Sequence, residues 1–190
     1  IVFDGASLVF DKNANLCGKL ASFKEDGKAF VLNKDGTIEG AIIEDAMLLP
    51  DEESNPANLE AALNIEEVYE ALIMGISDYF SKMGFQKAIL GSSGGIDSAV
   101  TLVLACHALG KENVKAILMP SEYSTGHSVF DAEQLSKNLN NPYEIISIKN
   151  IYNSFLNELK PLFKDLPFSV AEENLQSRTR GNLLMARANK

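Results

Sequence analysis

The sequence predicts an α/β domain built on a doubly wound parallel sheet, preceded by a short β-rich segment. Three observations predict it. From residue 87 onward, short apolar runs alternate with helical periodicities. The first of those runs ends in a glycine-rich turn that opens a helix. Residues 1–50 show short strands and turn residues instead, and a proline-bracketed acidic stretch separates the two textures.

In the first segment, Ser7-Leu8-Val9-Phe10, Ala29-Phe30-Val31-Leu32 and Thr37-Ile38 read as strands. Asp11–Asn15, Lys24–Lys28 and Asn33–Gly36 supply the turns. Pro50 to Pro56 is polar and acidic, which sets a linker over 51–57 and a second domain over 58–190. From Asn58, a candidate helix cap, Leu59, Leu63, Val68, Leu72, Ile76 and Phe80 recur at helical spacing. Lys87–Leu90 then reads as a strand ending at Gly91, and Ile96–Leu109 as a helix closed by Gly110. Val114–Met119 is a strand ended by Pro120. Asp131–Leu139 is a helix, Tyr143–Ile148 a strand, and Ile151–Leu159 and Val170–Asn189 are helices.

Bulk properties narrow the function classes. Hydrophobic residues make up 46%, enough for a sizeable core, yet no run approaches the roughly 18 apolar residues of a membrane span. The start, Ile1-Val2-Phe3-Asp4, lacks the basic end and apolar stretch of a signal peptide, and it lacks Met, as a fragment would. A net charge of −9 argues against nucleic-acid or membrane partners, which need a basic surface. Cys17 and Cys106 are far apart and form no CxxC pair, so neither zinc nor a disulfide framework is expected, and the cytoplasm is the expected compartment. Cys106 lies in an apolar helical stretch and is expected to be buried.

Chemistry concentrates in Gly91-Ser92-Ser93-Gly94-Gly95-Ile96-Asp97-Ser98, between the first strand and its helix. Parallel sheets bind ligands at the carboxyl ends of their strands. A glycine-rich turn there lets backbone N–H groups converge, and the helix start adds positive potential, so phosphate is the natural guest. Ser93 and Ser98 add hydroxyls. The loop lacks the Lys of a Walker A motif, and its glycines do not fit GxGxxG. It does match GxSxG through Gly91, Ser93 and Gly95, the nucleophile elbow of serine hydrolases. That alternative needs a histidine, and only His107 and His127 exist. Asp97 bears on the choice. A carboxylate in a phosphate cradle is tolerable when Mg²⁺ bridges the two; otherwise it only complements the helix dipole.

Ser93-Gly94-Gly95-Ile96-Asp97-Ser98 after a strand resembles the pyrophosphate loop of the ATP pyrophosphatase (PP-loop) family, with its adenine nucleotide alpha hydrolase-like fold. Three further stretches resemble the synthetase domain of glutamine-dependent NAD synthetases: Gly110–Val114 leading into Met119-Pro120-Ser121-Glu122-Tyr123-Ser124, then His127-Ser128 with Asp131-Ala132, and Ala171-Glu172-Glu173-Asn174-Leu175-Gln176-Ser177-Arg178-Thr179-Arg180-Gly181. The likeness runs from about Leu59 to Lys190. Residues 1–50, with Val2-Phe3-Asp4-Gly5-Ala6-Ser7 clearest, resemble the end of the nitrilase-type glutaminase domain of that family. The glutaminase Cys, Lys and Glu are not among these residues, and neither is a later segment of the synthetase domain. The resemblance therefore implies that the 190 residues alone are incomplete and inactive.

What the resemblance implies is an ATP-driven amidation of deamido-NAD to NAD through an adenylated intermediate, with ammonia released from glutamine. Gly91 to Ser98 would hold ATP and its pyrophosphate, Met119 would meet the adenine, and Asp97 would be a Mg²⁺ ligand. Asn174, Arg178 and Arg180 would contact the dinucleotide. Arg178 and Arg180 sit two apart on a helix and so point in different directions; pairing of one with Glu172 or Glu173 on a solvated face is the alternative. No side-chain nucleophile is expected. The other implied features are ATP and Mg²⁺ as cofactors and a homo-oligomer of at least two copies.

Overall fold

A computed structural model describes residues 2–39, 65–164 and 166–190. The chain divides into two compact units, residues 1–75 and 76–190, and each is taken by itself. In the first, β1 (Leu8–Phe10) pairs antiparallel with β2 (Leu16–Lys19), and β3 (Val31–Leu32) pairs antiparallel with β4 (Ile38–Glu39). Asp11 shapes the first turn by accepting the backbone N–H groups of Asn13 and Asn15, both at 2.8 Å. β2 is the strand that sequence reading misses. Its glycine and its position directly behind turn residues hide it, but Gly18 has a packing reason: a Cβ there would lie 2.4 Å from the Phe30 ring. Both hairpins stay outside the parallel ladder. The expected linker and the Asn58 cap lie outside the described residues. The division by packing falls within α1 (Ile65–Met83).

The second unit carries the sheet. β5 (Ala88–Gly91), β6 (Val114–Leu118) and β7 (Tyr143–Ile145) are parallel, with β6 in the middle. Ala88 pairs with Val114 and Gly91 with Ile117; Ala116 pairs with Tyr143 and Leu118 with Ile145. The two-residue pleat of β6 sorts the core. Val114, Ala116 and Leu118 face α2 (Ile96–Leu109) and α3 (Gly126–Leu139), where Leu102, Ala105, Cys106 and Ala132 complete a buried cluster. Ile117 and Met119 face the opposite side, joined by Ile148, Leu183 and Leu184. The last two belong to α5 (Val170–Ala188), which follows α4 (Lys149–Phe163) and packs on both α4 and β5. Helices thus cover both faces, as a doubly wound sheet requires. Cys106 is buried as expected, and burial pushes its thiol up from the ordinary range.

Helix boundaries differ from expectation where caps decide them. α3 begins at Gly126, five residues before the expected Asp131, because Thr125 Oγ1 accepts the Ser128 N–H at 3.2 Å. α5 begins where expected, and a capping box sets it there. Ser169 Oγ accepts from Ala171 N, and Glu172 accepts the Ser169 N–H at 2.8 Å. Glu172 is therefore buried in a cap rather than paired with an arginine. β7 stops at Ile145, yet Ile146 and Ile148 still donate to Leu118 and Pro120 carbonyls at 2.8 and 3.0 Å. The chain keeps following the end of β6 without forming a regular ladder. No helix of the described residues is long and apolar enough to cross a membrane.

Candidate active site

The loop after β5 is braced from within. Ser92 N–H donates to Ile117 O at 2.9 Å, carrying the ladder one residue past the strand. Ser98 Oγ donates to Gly95 O at 2.9 Å and accepts the Ser93 N–H at 3.2 Å. Ser93 Oγ accepts the Gly95 N–H at 3.2 Å and lies 3.0 Å from Ser98 Oγ. The two hydroxyls expected to face a ligand therefore knot the loop together. Gly94 is required twice. Its φ is +84°, and a Cβ there would lie 2.1 Å from the Ser128 carbonyl oxygen at the start of α3. Behind this turn α2 starts at Ile96 with no side chain capping it, so its first backbone N–H groups and the helix dipole remain available to an anion. Ile96 and Asp97 are exposed at that start.

A cavity of about 470 Å³ opens beside the loop, at the carboxyl ends of β5 and β6. Gly91, Ser92, Ser93, Leu118, Met119 and Pro120 line it from the sheet end. Ser124, Ser128 and Val129 line it from the α3 side, and Ser177, Arg180, Gly181 and Leu184 from α5. Ser124 is set by a local turn, in which Ser121 N–H donates to Ser124 Oγ at 2.9 Å. Arg180 is the one charged side chain among these lining residues. Its Nε–H donates to Met119 O at 3.1 Å, and burial draws its pKa down from the ordinary guanidinium value. Met119 is thus a wall of the cavity rather than only core.

α5 presents three faces to three surroundings. Glu172, Gln176 and Thr179 are buried. Ser177, Arg180, Gly181 and Leu184 line the cavity. Asn174 and Arg178, four apart and so on one face, are exposed and lie outside the cavity lining. The structure therefore brings Gly91, Ser92, Ser93, Met119 and Arg180 into one cavity, sets Gly94 to Ser98 in the loop beside it, and leaves Asn174 and Arg178 on an outer face. Sequence reasoning missed Ser124, Ser128, Ser177, Gly181 and Leu184. The spacing of Ser177, Arg180, Gly181 and Leu184, at i, i+3, i+4 and i+7, was the available signal.

The hydrolase alternative fails on the hydroxyl and on the backbone of its serine. Its serine would need an imidazole, and Ser93 Oγ engages Gly95 and Ser98 instead. His107 lies eleven residues along α2 from Ile96, about 16 Å of helical rise away. The strained backbone of a nucleophile elbow is absent from Ser93; the positive φ belongs to Gly94.

Asp97 offers one exposed carboxylate at the start of α2, beside helix N–H groups that bond phosphate rather than metal. Among the described residues no cluster of three or more His, Cys, Asp or Glu could hold a metal unaided. That carboxylate fits Mg²⁺ where phosphate oxygens supply the remaining ligands.

The family model described as NAD synthase matches residues 68–190. The glutamine-dependent NAD(+) synthetase of Synechocystis sp. is 44% identical over 190 residues, which is all of this chain and 32% of that protein. Among solved structures, glutamine-dependent NAD+ synthetase from Acinetobacter baumannii in complex with ADP superposes with a TM-score of 0.82 at 37% identity, covering 98% of this chain and 33% of that one. The NH3-dependent NAD synthetase of Campylobacter jejuni superposes at 0.60 with 33% identity, over 67% of this chain and 53% of that one. The chain thus spans about a third of the length of the curated relatives it matches. With more than half of its length matched by the family model, the chain belongs to the NAD synthase family.

Proposed function

We propose that this chain forms part of an enzyme that amidates deamido-NAD to NAD at the expense of ATP, with ammonia drawn from glutamine. The observation that carries the reading is the uncapped start of α2, behind Gly94 and Gly95, beside a cavity with Arg180 as its one charged wall. In the reaction, an oxygen of the nicotinate carboxylate attacks the α-phosphorus of ATP. The bond from that phosphorus to the bridging oxygen of the β-phosphate breaks, and pyrophosphate departs toward the loop. Ammonia then attacks the acyl carbon, the C–O bond to AMP breaks, and the nitrogen gives up a proton.

This chain's residues act by position and charge rather than by nucleophilic attack. The N–H groups at Ile96 to Ser98 receive phosphate oxygens, Met119 borders the adenine, and Arg180 supplies positive charge to the cavity. Mg²⁺, held by Asp97 together with phosphate oxygens, would neutralise charge on the leaving pyrophosphate. Asn174 and Arg178, on their shared exposed face, are assigned to the dinucleotide, and Arg suits its phosphates through bidentate bonding. The walls must exclude water, since the acyl adenylate would otherwise hydrolyse.

Residues 1–50 are assigned to the end of a nitrilase-like glutaminase domain, residues 51–57 to a linker, and residues 58–190 to the synthetase domain. Self-association into at least a dimer and a cytoplasmic setting complete the reading; the two free cysteines fit a reducing compartment. The test uses the complete natural polypeptide with ATP, Mg²⁺ and deamido-NAD, supplied with ammonium in one arm and glutamine in the other. NAD and AMP should form in equal amounts in both. Absence of NAD in both arms from a folded protein would sink the proposal.

A further inference from the structure

The glycines around the cavity differ in whether a Cβ would meet the chain itself. A Cβ at Gly91 would press on Met119 Cε at 3.1 Å, one at Gly94 would strike Ser128 O at 2.1 Å, and one at Gly95 would approach Ser93 Oγ at 3.3 Å. Gly181 has no such neighbour: a Cβ there would meet nothing within 4 Å. Its φ is not positive either. It stands in the interior of the 19-residue α5, where glycine is the poorest helix former after proline. Gly75, in the interior of α1, does have a neighbour, Val2 Cγ2 at 3.2 Å. Nothing within the described residues explains Gly181, and Gly181 lines the cavity.

We propose that Gly181 is a specificity-determining position at which the purine ring of the adenine nucleotide lies directly against the α5 backbone. This rests on the nucleotide reading given above. The neighbourhood says which part of the ligand belongs there. Leu184 is one turn further along α5, and its Cδ1 and Met119 Cε converge on Gly91, at 3.5 and 3.1 Å from a Cβ built there. That corner is apolar, whereas the phosphate-seeking N–H groups sit at Gly94 to Ser98. A flat, largely apolar ring suits the first region and a polyanion the second. A side chain at 181 would occupy the ring's place while leaving the loop intact.

The experiment measures ADP and inorganic pyrophosphate binding by titration calorimetry, and thermal melting without ligand, on the complete polypeptide and its Gly181→Ala and Gly181→Leu variants. Alanine improves helix propensity, so the unliganded Gly181→Ala protein should melt at a higher temperature than wild type. Its ADP affinity should nevertheless fall on the order of tenfold, the scale of one misplaced methyl(ene) in a fitted pocket, and Gly181→Leu should lose more. Pyrophosphate affinity should stay at the wild-type value in both. Wild-type ADP affinity in Gly181→Ala would overturn the proposal, as would a parallel loss of ADP and pyrophosphate binding. A change of oligomeric state with ADP affinity intact would also overturn it, since Gly181 would then serve protein packing. Failure of folded wild-type protein to bind ADP at all would overturn the nucleotide reading itself.

Discussion

Arg180 Nε–H donates to the backbone carbonyl of Met119 at 3.1 Å, joining α5 to the end of β6 across 61 positions of sequence. Both residues line the cavity, so the bond fixes one wall against another. Lysine cannot reproduce it, because its ammonium is a point donor on a flexible stem. Arg180→Lys should therefore raise KM for ATP more than it lowers kcat, and it should lose roughly 1.5–3 kcal/mol of stability, the range for a hydrogen bond to a charged group. Steady-state kinetics and denaturant melts check this. An unchanged KM would mean that the Met119 wall does not depend on the guanidinium.

Gly94 and Gly95 are neighbours with unequal tolerance. Gly94 has φ +84° and Ser128 O where a Cβ would go, while Gly95 has φ −86° and only the Ser93 hydroxyl nearby. Gly94→Ala should separate the loop from α3, abolish pyrophosphate binding and destabilise the fold by more than the ~1–2 kcal/mol of a left-handed alanine. Gly95→Ala should bind pyrophosphate more weakly yet fold normally. Calorimetric titration with pyrophosphate, beside thermal melts, distinguishes the two. Equal behaviour of the variants would refute the packing account.

Glu144 on β7 binds Arg187 of α5 at 3.3 Å and Lys115 of β6 at 2.6 Å. Hydrogen bonds from Arg187 first, then Lys115, hold its carboxyl at about 2, against an ordinary 4.5. A depressed folded-state value means stabilisation that is complete above about 4.5 and lost as pH falls toward about 2. Glu144→Gln should thus melt lower than wild type at neutral pH, with the gap closing across that acid window. The contribution is modest because all three side chains are partly exposed. A gap that is constant with pH would remove Glu144 as the titrating group.

How far the sequence could be read depended on how local the cause was. The bounds of α2 follow from its own apolar run and from Gly110, whose φ is +84°, so Ile96–Leu109 was legible. The start of α5 was legible for the same reason: Ser169 and Glu172 lie three apart in the signature of a capping box. α3 was legible only from Asp131, because Gly126 and His127 read as loop until Thr125 is recognised as a cap. The glycine-rich turn between β5 and α2 was legible, but the brace between Ser93 and Ser98 was not. Nor was the bond from Arg180 to Met119, since both depend on where the chain brings distant or folded-back atoms. The cavity face of α5 lay between these cases. Its helical spacing was visible, but the reason for Gly181 becomes apparent only when its surroundings are known to be open.

Asp97 provides the test that separates charge chemistry from structure. It is exposed in the first turn of α2, so as a fold element it can only complement the helix dipole, worth roughly 0.3–1 kcal/mol. Asp97→Asn keeps the shape and removes the charge. Its melting temperature should therefore stay close to wild type. If Asp97 shares Mg²⁺ with the phosphates, the variant should need far more Mg²⁺ to reach half-maximal NAD formation, while pyrophosphate binding in chelator should hold steady or improve as a repelling charge is removed. Asp97→Glu should recover little, because Mg²⁺ demands near-ideal octahedral placement of its oxygens. Magnesium titrations of NAD formation, run beside calorimetric pyrophosphate binding in chelator, give both readings on one preparation. An Asp97→Asn enzyme with the wild-type Mg²⁺ requirement would leave the residue as a dipole partner and move the metal to another carboxylate.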